Sequence, residues 1–223
     1  MPLRVVEIHQ SILRKNATLA RELRDRFARD GTYVFNFLSS PGAGKTTLLE
    51  ETLQRFGDRY RIAALVGDQA TDNDAERLRR SGVPVKQIVT GAECRLDASM
   101  VGAGLRELDV AGLEVLAIEN VGNLICPAEY DLGEDLRVVV FSTTEGEDKP
   151  LKYPLAFATA HLVAISKIDL AAAARFDREA ARANIERVHP GMEIVELSAL
   201  TGEGIDEWIE CLDRQIASKR VLV

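Results

Sequence analysis

The stretch Ser39-Ser40-Pro41-Gly42-Ala43-Gly44-Lys45-Thr46-Thr47 decides the fold, because it joins the apolar run 33–38 to the helix-forming Leu48-Leu49-Glu50-Glu51. A strand, a glycine-rich turn and a helix in that order aim backbone N–H groups and a helix N-terminus at one point, which suits a polyphosphate. Pro41, Gly42, Ala43, Gly44 and Thr47 are candidate contacts to the phosphates; Lys45 reaches the outer ones, and the Thr46 hydroxyl is placed to coordinate Mg²⁺. Ser39 stands where the usual phosphate-loop pattern begins with glycine.

Outward from this loop, β-like apolar runs at 33–38, 61–66, 83–89, 113–118, 136–141, 161–166 and 192–197 alternate with amphipathic stretches at 45–55, 72–80, 96–108, 177–188 and 204–218. Most of the strands are continuous apolar runs, as expected when a mainly parallel sheet is covered on both faces. The predicted fold class is therefore α/β, a P-loop NTPase with a mainly parallel seven-stranded sheet and helices on both faces. Before it, Val5, Ile8, Ile12, Leu19, Leu23 and Phe27 recur at helical spacing, and Asp30-Gly31 closes that helix. The expected organisation is one domain overall, an amphipathic helix over 1–30 packed on a P-loop core over 31–223.

Lysine and arginine count 28 against 35 aspartate and glutamate in 223 residues, a net charge of −7, which disfavours nucleic acid and anionic membrane as general partners. The longest apolar runs fall far short of the roughly 20 residues of a membrane helix. A charge at Arg4 interrupts the N-terminal apolar stretch too early for a secretory segment, so a cytoplasmic protein is expected. Three cysteines, Cys94, Cys126 and Cys211, are too few and too scattered for a disulfide scaffold and are read singly.

A phosphate loop needs an acidic partner near its metal. Glu119, at the end of the run 113–118, is the candidate Mg²⁺ ligand, and Gly122 lets the backbone approach the γ-phosphate. Asp68, in Gly67-Asp68-Gln69, either serves as a second acidic group near Mg²⁺ or the attacking water, or caps the helix that begins near Asp72. Ser166-Lys167-Ile168-Asp169 is similar to the Asn-Lys-x-Asp guanine motif. The Asp169 carboxylate can accept two hydrogen bonds from guanine N1–H and its exocyclic amine, while the Lys167 stem covers the base. Ser166 in place of Asn puts its tie to the phosphate loop in question, and Ser198-Ala199 resembles the companion guanine loop.

In order, Ser39 to Leu49, Gly67-Asp-Gln-Ala-Thr-Asp-Asn-Asp74, Ile118-Glu-Asn-Val-Gly-Asn-Leu-Ile-Cys-Pro127, Thr144-Glu-Gly-Glu-Asp-Lys-Pro-Leu-Lys-Tyr-Pro154 and Leu200-Thr-Gly-Glu-Gly204 resemble the HypB family, GTPases that assist nickel insertion during [NiFe]-hydrogenase maturation. The resemblance runs from about Leu19 to the C-terminus. It implies GTP hydrolysis to GDP and phosphate, Mg²⁺ dependence, and a GTP-dependent homodimer whose nucleotide faces oppose each other. It also implies contact with a hydrogenase large subunit and a nickel metallochaperone.

Two departures bear on the metal. The family's N-terminal cysteine motif and histidine-rich tract have no counterpart here, where only His9 occurs, so metal storage is not expected; and the family's Cys-His is Cys94-Arg95. Cys94 and Cys126 follow strand ends and belong on the nucleotide edge of the sheet. Two thiolates from each of two subunits, meeting across a dimer, would suit Zn²⁺ or, flattened, Ni²⁺. The competing reading is that both are small, partly buried apolar residues left from a degenerated site. Cys211 reads as core, and His161 and His189 as structural.

The working reading is a switch in which GTP and Mg²⁺ order the loops around Asp68 and Glu119 and couple hydrolysis to nickel delivery. No glutamine occupies the Ras-like place; Asp68, Gln69 or a residue of the other subunit positions the water, and slow turnover is expected. Lys149 and Lys152 either meet nucleotide or partner, or are solvated. The rivals are a related metallocentre GTPase for urease or a cobalamin enzyme, an ATP-dependent P-loop kinase, and a nucleotide-binding dimeric scaffold.

Overall fold

The computed structural model describes residues 2–69, 72–108 and 110–221. The Val5 and His9 side chains, and Ala70 and Thr71 of the stretch 67–74, lie outside the described residues. In chain order the elements are α1 (Pro2–Asp30), β1 (Tyr33–Ser39), α2 (Lys45–Gly57), β2 (Ile62–Asp68), α3 (Asn73–Arg79), β3 (Val85–Val89), α4 (Ala98–Glu107), β4 (Val115–Glu119), β5 (Leu136–Ser142), α5 (Lys149–Lys152), α6 (Pro154–Ala158), β6 (Leu162–Ser166), α7 (Ala171–Ala174), α8 (Arg178–Val188), β7 (Glu193–Glu196) and α9 (Ile205–Val221). All seven expected strands are present. The short helices α5 and α6 lie in a stretch without amphipathic periodicity, where Pro150 and Pro154 open each of them.

The strands form one sheet in the order β3-β2-β4-β1-β5-β6-β7, and every neighbouring pair is parallel. The chain runs from β1 out to β2 and β3, returns to β4, and then crosses to β5 and β6 on the other side, so the direction of winding reverses around β1. In an open parallel sheet the crevice at such a reversal, outside the carboxyl ends of the strands, is where ligands bind. Both faces are covered because β1 is apolar on each. Tyr33, Phe35 and Phe37 pack with Leu49, Phe56, Trp208 and Leu212 of α2 and α9, while Val34 joins Leu23, Phe27, Val101 and Leu105 of α1 and α4. Leu38 meets Phe141, Phe157 and Ile185 in a third cluster. Burying these side chains supplies most of the driving force for the fold.

In α1, Ala20, Leu23 and Phe27 are buried, whereas Ile8 and Ile12 are 55% and 47% exposed. Among the described residues no helix is long and apolar enough to cross a membrane.

Candidate nucleotide and thiol site

The loop after β1 wraps a cleft of about 530 Å³ bordered by Gly67, Asp68, Gln69, Asn120 and Gly122 as well as by its own residues. Gly44, the residue before α2, has φ +91°, a left-handed conformation that favours glycine and that aims the first N–H groups of the helix into the cleft. Lys45 is buried, and its Nζ donates to Glu119 Oε1 at 2.5 Å. The Thr46 hydroxyl donates to the same oxygen at 2.6 Å. Glu119 is 1% exposed, yet its Oε2 is buried with no hydrogen-bond partner. A buried carboxylate oxygen left unsatisfied is costly, and a cation is the partner such an atom takes.

Asp68 ends β2 at the rim of the same cleft, and its carbonyl accepts from Thr90 N at 2.8 Å. The residue before α3 is Asp72, whose side chain makes no cap hydrogen bond. Gln69 is exposed and turned toward Glu93, with Nε2 3.5 Å from its carbonyl. A Cβ on Gly122 would stand 3.4 Å from Pro41 Cα, so the Glu119 loop lies directly against the phosphate loop.

Beside this cleft a second hollow of about 430 Å³ is lined by Thr47, Lys167, Asp169, Ser198, Ala199 and Leu200, among others. The tie put in question by Ser166 is made after all: the Ser166 hydroxyl donates to Ala43 O at 2.6 Å. Lys167, at φ +57°, donates from Nζ to Gly42 O at 2.6 Å. The loop after β6 and the phosphate loop are therefore stitched together twice. Asp169 Oδ1 is buried and has no hydrogen-bond partner. Ser198 shapes its own turn, with its hydroxyl accepting from Thr201 N at 3.2 Å.

Cys94 and Cys126 meet within one chain. Their Cα atoms are 6.3 Å apart and the sulfurs are disulfide-bonded. The loop after β3 crosses above β2 to reach the loop after β4: Leu96 N donates to Asn120 Oδ1 at 3.0 Å, and Asn123 Nδ2 donates to Cys94 O at 3.4 Å. The two cysteines are therefore adjacent without a second subunit. Among the described residues no group of three or more His, Cys, Asp or Glu side chains could hold a metal ion.

The CobW/HypB/UreG nucleotide-binding domain family matches residues 33–196. The chain is 50% identical to the hydrogenase maturation factor HypB of Azotobacter vinelandii over 212 residues, 95% of this chain and 70% of that protein. Among solved structures, HypB of Archaeoglobus fulgidus superposes with a TM-score of 0.84 at 40% identity, covering 91% of this chain and 98% of that one. HypB of Helicobacter pylori in complex with nickel does so with a TM-score of 0.86 at 37% identity, covering 92% and 96%.

The chain belongs to the HypB family. Its fold is that of the HypB structures, a P-loop NTPase.

In this HypB-family chain Arg95 directly follows Cys94. The guanidinium carbon lies 3.8 Å from the Tyr130 ring centroid, and Nη1 is paired with Glu93. Stacking on Tyr130 directs the charge along the ring. Lys149 pairs with Glu145 at 2.9 Å and lies over the Tyr153 ring, while Lys152 pairs with Asp148 on the surface. Glu145 also completes a capping box with Ser142. These contacts hold the turn after β5 together. Cys211 is fully buried, and burial, followed by its hydrogen bond to Glu193, pushes its thiol up to about 12, as befits a core residue.

Sequence reading missed a buried polar network beneath the nucleotide cleft. Asn36 of β1 donates to Glu134 Oε1 at 3.1 Å and accepts from Asn120 Nδ2 at 3.3 Å. Arg137 donates to Glu134 Oε1 from Nη2 at 2.6 Å, and to the carbonyls of Tyr130 and Ala128 at 2.9 and 3.0 Å. The available signal was a lone Asn and a lone Arg inside otherwise apolar strands, since a buried polar side chain must find partners.

Proposed function

We propose that this chain is a GTP-hydrolysing metallochaperone that couples nucleotide state and dimerisation to delivery of nickel into a [NiFe]-hydrogenase precursor. The observation that carries the nucleotide reading is the buried, unpartnered Asp169 Oδ1 in a hollow stitched to a phosphate loop. Guanine supplies two adjacent N–H donors for that carboxylate, and adenine does not.

The residues at the phosphate cleft fit Mg²⁺: Thr46 and Glu119 converge, Glu119 Oε2 is free to take a cation, and Asp68 stands across the rim. Held there with GTP, Mg²⁺ would supply positive charge to offset the negative charge that develops in phosphoryl transfer. Lys45 reaches the outer phosphates from the first turn of α2. The backbone N–H groups at the start of α2 hold the phosphates, and the Gly122 loop responds to the γ-phosphate because it lies against Pro41.

Nickel is cargo in this reading, received by Cys94 and Cys126. Two thiolates leave a nickel site incomplete in one chain, and a second copy would supply the remaining pair. The nickel-bound H. pylori relative supports the choice of metal. The hydrogenase large subunit and a nickel metallochaperone are the expected partners in the cytoplasm.

The test is Asp169→Asn. Guanine nucleotide affinity should fall by about 10²-fold or more, because a buried donor then faces guanine's donors. Xanthine nucleotides, which carry a carbonyl where guanine carries its amine, should gain affinity. Unchanged preference for GTP over ATP and xanthosine triphosphate would remove the guanine assignment.

A further inference from the structure

The phosphate cleft and the base hollow share four lining residues, Gly44, Thr47, Lys167 and Arg77. Three of them belong to the two motifs that sequence reading identified. Arg77 belongs to neither: it comes from α3, and its Nε donates to Glu50 Oε2 of α2 at 2.7 Å. The side chain is 38% exposed, and its Glu50 partner 17%.

With the outer phosphates at Lys45 and the base at Asp169, the part of a nucleotide that spans the border between the two hollows is the ribose and the α-phosphate. Of these two, only the α-phosphate is charged. The neighbouring cations are committed elsewhere: Lys45 to the outer end of the cleft, and Lys167 to Gly42 O at 2.6 Å. The rim also carries the acidic Asp68 and Asp74, which oppose an anion. A guanidinium presents a planar fork that matches phosphate oxygens and keeps donors to spare while one N–H remains on Glu50.

We infer that Arg77 is a nucleotide-positioning residue that binds the α-phosphate, with Glu50 on the next helix holding its Nε. This rests on the nucleotide reading above but is independent of the choice of base. Because the α-phosphate is present before and after hydrolysis, the contact strengthens substrate and product binding alike and leaves the chemical step untouched.

The experiment is a parallel titration of wild type, Arg77→Ala, Arg77→Lys and Glu50→Gln with GTP, GDP and ADP, together with kcat at saturating GTP. Arg77→Ala should weaken GTP and GDP by the same factor, about tenfold for one charge-assisted contact, with kcat unchanged. Arg77→Lys should recover part of the loss. Glu50→Gln removes the charge of the helix-to-helix pair but keeps an oxygen to accept from Arg77 Nε and leaves the cation, so it should weaken binding far less than Arg77→Ala. Wild-type affinity in Arg77→Ala, or a Glu50→Gln variant that reproduces its loss, would overturn the assignment; the second result would make Arg77 a strut between α2 and α3. Should the wild type prefer ADP, the guanine reading falls while the Arg77 effect is still measured with ADP. Binding of none of the three nucleotides would overturn both.

Discussion

Lys45 and Glu119, 74 positions apart, form a buried ion pair with the Lys45 nitrogen 2.5 Å from Oε1 of a carboxylate whose other oxygen has no partner. The pair keeps two buried charges compensated. Glu119→Gln should preserve the shape of the cleft and lower GTP turnover by about 10²-fold, the scale of losing one electrostatic support in a dry site. It should also blunt the stimulation of GTP binding by Mg²⁺. Hydrolysis and binding measured across a Mg²⁺ series check this, and an unchanged Mg²⁺ dependence would count against Glu119 as the ligand.

In the proposed reading, the intrachain pairing of Cys94 with Cys126 would make metal binding depend on reduction. Thiolates are the ligands, and sulfurs joined to each other are lost to the metal. Reduced protein should bind Ni²⁺ or Zn²⁺, oxidised protein should not, and Cys94→Ser or Cys126→Ser should each abolish tight binding. Calorimetric titration of the reduced and oxidised forms, with mass spectrometry to confirm two fewer hydrogens in the oxidised one, gives the answer. Equal affinity in both forms would exclude the thiol pair.

Arg137 lies beneath the cleft in a ring of acceptors, with its side chain 8% exposed and Glu134 at 3%. Removing the guanidinium leaves the Glu134 carboxylate buried beside Asn36 with its strongest partner gone. Arg137→Ala should cost about 3–5 kcal/mol of stability, read as a shift of the urea unfolding midpoint. The double variant with Glu134→Gln should recover part of it, since the uncompensated charge is then absent.

Partial burial, and next the Arg137 cation, hold the His161 imidazole below its ordinary 6.5. Its Nδ1 accepts from Arg137 N at 2.8 Å, which needs the ring nitrogen unprotonated. The unfolded chain therefore takes up a proton near pH 6.5 that the folded chain resists. The stabilisation is complete above that pH and declines as pH falls through the lower, folded value. His161→Asn keeps an acceptor without a titration, so its unfolding midpoint should change less between pH 7 and pH 5. The difference is shallow because the residue keeps an exposed edge.

The sequence by itself determined the seven strands, the phosphate loop and the family resemblance, and it nominated Asp169. Each is local: a strand shows as a continuous apolar run, and a phosphate loop is nine adjacent residues whose chemistry is legible without knowing what lies opposite. The acidic residue could be nominated too, because a strand end in an α/β pattern points to one edge of the sheet.

What only the tertiary structure decided depends on strand order, which apolar runs do not encode. Placing β4 beside β1 brings Glu119 onto Lys45. Folding the loop after β3 over β2 joins Cys94 to Cys126 inside one chain, though they stand 32 positions apart. The same placement turned the Ser166 departure into a direct bond to Ala43, gathered Asn36, Glu134 and Arg137 into one buried network, and set Arg77 at the border of two hollows. A hydrogen bond or an ion pair requires atoms within about 3 Å, and no spacing along the chain fixes that distance until the sheet is assembled.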